Sequence, residues 1–172
     1  MAFHHVAIAT KDLQATHRFY TEAMGFELVK VEAAPTPEQG WARHLFYDTG
    51  DGEMFAVWDL HVPSLEGYNT EISTGLGLPP WVNHIAFDSP DLDDLKIKLE
   101  RWIDQGLECV RIDHGWCTSI YTNDPNGVTV EFCSSTRELT AADRAEAHEL
   151  LAATEPRLAE PATDIEFFTA NA

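Results

Sequence analysis

Three residues of this chain have the types and settings to hold a divalent ion: His5, His84 and Glu131. His5 stands in FHHVAIA, a β-branched run that predicts a strand over 3–9. Alternate side chains of a strand share a face, so His5, Ala7 and Ala9 fall together, opposite His4, Val6 and Ile8. His84 and Ala86 likewise share a face, with Ile85 and Phe87 on the other. In VTVEFC, Val128, Val130 and Phe132 form a bulky face, and Thr129, Glu131 and Cys133 a smaller one. The bulky faces are expected to pack on helices. The small neighbours of the two histidines leave room for a ligand. Glu131 is the only charge in its strand, and a buried carboxylate needs a cation or good donors. Two imidazoles and a carboxylate from three strands would make a facial triad with three open positions. That donor set suits Fe(II) or a similar divalent ion in oxygen or enediolate chemistry. His114, in DHGWC, is the candidate acid–base group, since a neutral imidazole can take a substrate proton and return it. Asp113 could orient it. Cys117 reads as a small strand residue, with nothing near it in sequence to make it a nucleophile.

The elements that must position these residues occur twice. HHVAIATKDL at 4–13 and NHIAFDSPDL at 83–92 align at an offset of 79, and FYDTGDG at 46–52 aligns with IYTNDPNG at 120–127 at an offset of 74. Two segments matching in the same order mark an internal repeat whose loops differ in length. In the first copy Asp12 caps a helix carrying Leu13, Thr16, Tyr20 and Met24, and Gly25 stops it. Strands are expected near 26–32, 42–48 and 53–60. In the second copy a strand at 82–88 leads to an Asp91 cap. A helical stripe of Leu92, Leu95, Leu99 and Trp102 then runs to Gly106. Strands follow near 108–112, 116–122 and 128–133, and GDG and DPNG are turn chemistry. The expected organisation is a first βαβββ module over 1–60, an irregular Gly/Pro-containing loop over 61–80 and a second module over 81–135. A C-terminal extension over 136–172 then holds a Thr140-capped helix and an acidic tail.

Acidic residues outnumber basic ones 29 to 11 in a chain of 172, a formal net charge of −18. No basic stripe is present to displace counterions from nucleic acid, and anionic membrane surfaces are equally disfavoured. No apolar run approaches the ~20 residues of a membrane span, and the N-terminus lacks signal-peptide features. Three cysteines without a CxxC spacing fit a reducing compartment, so a cytoplasmic location is expected.

Through HVAIATKDL, FYTEAMGF, HIAFDSPDL and IYTNDPNGVTVEF, residues 3–133 resemble the vicinal oxygen chelate superfamily of glyoxalases, bleomycin-resistance proteins and extradiol ring-cleaving dioxygenases. The resemblance implies an α+β fold in which two tandem βαβββ modules form a U-shaped, mixed, mostly antiparallel sheet around a metal site. It implies metal ligands at His5, His84 and Glu131. Glyoxalase-type members usually place a fourth ligand four residues after the glycine corresponding to Gly52. Here that residue is Ala56, so the three-ligand extradiol pattern is the nearer one, unless Glu53 or Asp59 swings in. Extradiol enzymes also have a substrate-contacting tyrosine at a spacing like that of Tyr121, ten residues before Glu131, and a histidine near the loop that holds His114. The expected activity is ring cleavage of a small catecholic substrate with a divalent ion, Fe(II) favoured over Mn, Zn, Ni or Co. The alternatives are a glyoxalase-like lyase or isomerase and a non-catalytic small-molecule-binding protein. A homodimer is expected. Trp41, Trp58, Trp81 and Trp116 could wall an apolar pocket for an aromatic substrate.

Overall fold

The computed structural model describes residues 3–50 and 52–169. Asp51, the centre of the expected GDG turn, lies outside the described residues. The strand–helix–three-strand order appears twice, giving a mixed α+β fold with few helices. The first set is β1 (His5–Thr10), α1 (Leu13–Arg18), β2 (Glu27–Thr36), β3 (Gly40–Gly50) and β4 (Glu53–His61). The second is β5 (His84–Asp88), α2 (Leu92–Asp104), β6 (Cys109–Asp113), β7 (Cys117–Asn123) and β8 (Thr129–Ser135), followed by α3 (Ala141–Ala152) and β9 (Ile165–Phe168). Among the described residues, hydrogen bonding arranges the strands in two sheets, in the orders β1-β4-β3-β2 and β5-β8-β7-β6-β9. β1 runs parallel to β4, and β2, β3 and β4 are antiparallel neighbours.

Compactness divides the chain differently from the repeat: one unit is 1–87 with 122–131, the other 88–121 with 132–172. The first unit buries the helix face that the sequence spacing anticipates. Asp12 caps α1 by accepting from Ala15 N at 2.9 Å. The helix then widens into a π-helical turn at Phe19–Ala23, with Thr16, Tyr20 and Met24 buried. The Tyr20 ring packs 4.3 Å from that of Phe55. A buried polar network explains why the 122–131 hairpin belongs here. Thr16 Oγ1 shares a 2.7 Å bond with Thr10 Oγ1 and accepts from Asn126 Nδ2 at 3.2 Å. Asp124 accepts from Asn126 N, Val128 N and Asn126 Nδ2, each at 2.8 Å, and from Tyr20 Oη at 3.0 Å. The DPNG segment is thus a buried anchor as well as a turn. Each polar group taken from water there has a partner, as burial requires.

In the second unit Asp91 caps α2 through Asp94 N at 2.8 Å. Leu95, Leu99 and Trp102 are buried, and the Trp102 ring lies 5.4 Å from Phe132. Leu92, at the first turn, remains 48% exposed and leaves the stripe. Helix α3 is capped by Thr140 and buries no side chain. The acidic tail contributes an element that the sequence pattern did not reveal. β9 pairs antiparallel with β6, and Arg111 bridges to Asp164 and Glu166 at 3.5 and 3.4 Å. All three cysteines are free thiols, and burial pushes that of Cys109 up to about 11. No helix among the described residues is long and apolar enough to cross a membrane.

Candidate metal and substrate site

β5 and β8 place the first two candidate ligands together. His84 Nε2 lies 3.0 Å from Glu131 Oε2, and His84 Nδ1 lies 3.0 Å from the carbonyl of Trp81. The carbonyl can only accept, so Nδ1 carries the proton in this contact. In the neutral ring Nε2 is then a bare lone pair facing a carboxylate. Two acceptors at that distance repel unless a cation lies between them, either a proton on Nε2 or a metal ion. Glu131 is 5% exposed, so water screens the contact poorly. An imidazole whose second nitrogen is fixed by a backbone carbonyl is the ordinary setting of a metal-ligating histidine. The donor set of one nitrogen and one carboxylate therefore fits a divalent ion.

His5 is not gathered into that pair. Among the described residues, no group of three His, Cys, Asp or Glu side chains is close enough to hold a metal ion. The expected triad is thus two residues together and one apart. His5 is exposed on its own sheet, with Nδ1 2.8 Å from His4 Nδ1. The alternation expected on β1 holds only in its second half: Ile8 is buried and Ala7 shares the open face with His5, but His4 and Val6, expected on the packed face, are exposed.

That open face explains position 56. Ala56 pairs with Ala7 on one side and Phe46 on the other, and it is fully buried. The His5 ring, from β1, and the Phe46 ring, from β3, lie 5.6 Å apart. Their strands flank β4, so they meet above it, where any residue larger than alanine would stand between them. Phe55 and Val57, the neighbours on either side, are buried non-ligands. Asp59 does not swing in, because its carboxylate is engaged by Arg43 Nε at 2.7 Å and His61 Nε2 at 3.0 Å.

His114 and Tyr121 are brought together, with Nε2 and Oη 3.0 Å apart and the rings edge-on. Asp113 does not orient the imidazole, since its Oδ1 accepts from Gly115 N at 2.7 Å, closing the loop instead. The tyrosine that matches in the first copy also meets a histidine, Tyr47 Oη lying 3.2 Å from His17 Nδ1. Tyr47 is fully buried, however, and burial pushes its hydroxyl up to about 12, so it stays protonated in the core. Of the tryptophans, Trp58 stacks on His44 and Trp41 on His61, both at 3.8 Å, whereas Trp81 is 71% exposed.

Sequence reasoning passed over His44. It is nine-tenths buried between Trp58 and Phe46, and its Nε2 has no hydrogen-bond partner among the described residues. Burial holds its imidazole below the usual range, the nearby His5 adds to that, and Glu32 opposes it. Strand alternation in RHLFY already put His44 and Phe46 on one face, but nothing in the sequence put Trp58 against them.

Residues 2–132 match the Glyoxalase/Bleomycin resistance protein/Dioxygenase superfamily, and the chain belongs to that family. Among solved structures, it is similar to a glyoxylase/bleomycin resistance protein/dioxygenase domain from Frankia sp., with a TM-score of 0.60 at 15% identity, over 78% of this chain and 98% of that one. It is also similar to a lactoylglutathione lyase from Agrobacterium tumefaciens, with a TM-score of 0.52 at 18% identity, over 77% and 92% of the two chains. An antibiotic-binding protein from Streptomyces sp. gives a TM-score of 0.52 at 16% identity, over 79% and 97%. Likeness at these identities concerns the fold. No curated protein matches the chain.

Proposed function

We propose that the chain is a metal-dependent ring-cleaving dioxygenase of the extradiol type, acting on a small aromatic vicinal diol. The observation that carries this reading is the His84–Glu131 pair, an imidazole nitrogen and a carboxylate oxygen 3.0 Å apart with the imidazole oriented by the Trp81 carbonyl. His5 is assigned as the third ligand. It is exposed on its sheet, which leaves it available to the pair of a second copy in a homodimer. The absence of a ligand at Ala56 supports three protein ligands, with the remaining positions left to substrate and dioxygen. When bound, a divalent ion, Fe(II) by preference over Mn, Zn, Ni or Co, supplies Lewis-acid chelation of two vicinal oxygens and electron transfer to dioxygen.

The chain's own residues hold and move the protons. His114 takes the proton that the diol gives up and later returns it, and the Tyr121 hydroxyl, 3.0 Å away, orients the ring. The partner is a small molecule. Nucleic acid and membrane surfaces are disfavoured by the net charge of −18. A reducing, cytoplasmic setting is proposed from the three free thiols.

The test is metal analysis of anaerobically purified protein, followed by catechol-dependent O₂ uptake after Fe(II) addition. Stoichiometric iron, oxygen consumption and a yellow ring-fission product are expected. Bound zinc, nickel or manganese without oxygen uptake would overturn the dioxygenase assignment in favour of lyase or isomerase chemistry. Failure to bind any metal after reconstitution would leave a small-molecule-binding protein.

A further inference from the structure

The second unit holds a cavity of about 410 Å³ between α2, the β6–β7 pair and the tail strand β9. Leu95 and Leu99 of α2 and Ile120 of β7, all buried, close its inner side. Leu92 stands at its edge, which explains a leucine that leaves the buried stripe of α2. The walls are aliphatic, and one cation reaches them from the sheet. Register sets Arg111 between Ile120 on one neighbouring strand and Glu166 on the other, and all three line the cavity.

Arg111 clasps the tail strand, but the clasp uses little of the side chain. Its contacts to Asp164 and Glu166 are made through one nitrogen, Nη1, at 3.5 and 3.4 Å. A charge-assisted bond ordinarily runs about 2.7–2.9 Å, and both carboxylates are more than half exposed, so water screens the pairing. Among the described residues, Nε and Nη2 make no hydrogen bond. Yet the side chain is only 27% exposed. A guanidinium presents a planar fork of donors that fits a carboxylate through two of them at once. A lysine would serve the clasp as well; the fork, half withdrawn from water and unused, is explained by an anion with paired oxygens. Lys96 adds a second cation to the lining, held only loosely by Glu100 at 3.8 Å. Asp93 and Glu166 oppose an anion there, but both are exposed and act through water, whereas Arg111 acts from a partly buried position.

We infer that this cavity binds a small amphipathic carboxylate, its two oxygens on Arg111 Nε and Nη2 and its alkyl chain among Leu92, Leu95, Leu99 and Ile120. Aliphatic walls without an aromatic plane suit a flexible chain better than a flat ring. The site is separate from the His84–Glu131 pair and does not depend on the proposed reaction.

The experiment titrates the full chain, in chelator, with sodium octanoate below its micelle-forming concentration, followed by calorimetry. Saturable binding is expected. Shortening the ligand to hexanoate and butanoate should weaken binding about fourfold for each methylene removed, the worth of burying it. Octylammonium, with the same chain and the opposite charge, should bind at least about tenfold more weakly. Arg111→Met keeps the stem and removes the fork, and should weaken octanoate about tenfold or more, the worth of a charge-assisted bond. Arg111→Lys should recover only part of that. Glu166→Gln loosens the clasp and removes an opposing charge while leaving the fork, so it should bind octanoate at least as tightly as the wild type. Absence of octanoate binding would overturn the proposal, as would wild-type affinity in Arg111→Met. Equal affinity for octylammonium, or no dependence on chain length, would reduce the binding to unspecific contact and overturn it too. If Glu166→Gln weakens octanoate as much as Arg111→Met does, Arg111 acts only as a clasp and the site falls.

Discussion

Glu131→Gln separates a metal site from a structural ion pair, because the two make opposite demands on the same 3.0 Å contact. In the metal-free protein the glutamine amide can donate to His84 Nε2, replacing the bond that a proton on Nε2 makes to the carboxylate. Stability should then change by no more than about 1 kcal/mol. Metal should reveal the difference. A ligand that binds only the folded state stabilises it by RT ln(1 + [L]/Kd), about 2.7 kcal/mol at one hundred times Kd. Removing a charged ligand should weaken binding by roughly a hundredfold or more. At the same metal concentration the variant would then sit near its own Kd and gain only about 0.4 kcal/mol. The assay is urea denaturation of both proteins with chelator and with added divalent metal. The refuting pattern is equally definite. Breaking a buried ion pair costs about 3–5 kcal/mol. If Glu131→Gln loses that much under chelator, and metal stabilises neither protein, the pair is structural and the ligand assignment falls.

Two further predictions concern the buried network beneath α1. Tyr20→Phe removes the donor that Asp124 Oδ2 holds at 3.0 Å, and should cost about 2 kcal/mol in urea denaturation, the range for a bond to a charged acceptor; a loss below about 0.5 kcal/mol would show that the hydroxyl is replaceable by water. The second is a pH dependence. Burial holds the Asp124 carboxyl above its usual range, outweighing the hydrogen bonds that it accepts. Its contribution to stability is therefore complete below the unfolded value, near 3.9, and is lost as pH rises through the folded one. The stability of the wild type relative to Asp124→Asn should fall as pH rises from about 4; a difference that stays flat from pH 4 to 8 would contradict the burial argument.

Much of this was legible in the sequence because it depends on local periods. Strand alternation assigned the faces of β5, β8 and the second half of β1, and placed Glu131 as the lone charge of its strand. The repeat gave the order of elements twice, and Asp12, Asp91 and Thr140 all cap helices as their positions suggested. These readings hold because a side chain's face and a cap's partner lie within a few residues along the chain. The rest required residues far apart to be brought to known distances. That His84 meets Glu131, and His5 does not join them in a group of three among the described residues, depends on which strands are neighbours. That Ala56 is a covered floor rather than a vacant ligand position depends on rings from β1 and β3 meeting above β4. The burial of the DPNG segment under α1, the strand in the acidic tail and the His44 nitrogen that has no partner among the described residues are likewise products of packing. Type and spacing determined which side chains could do chemistry; the sheet order and the burial it creates decided which of them stand together.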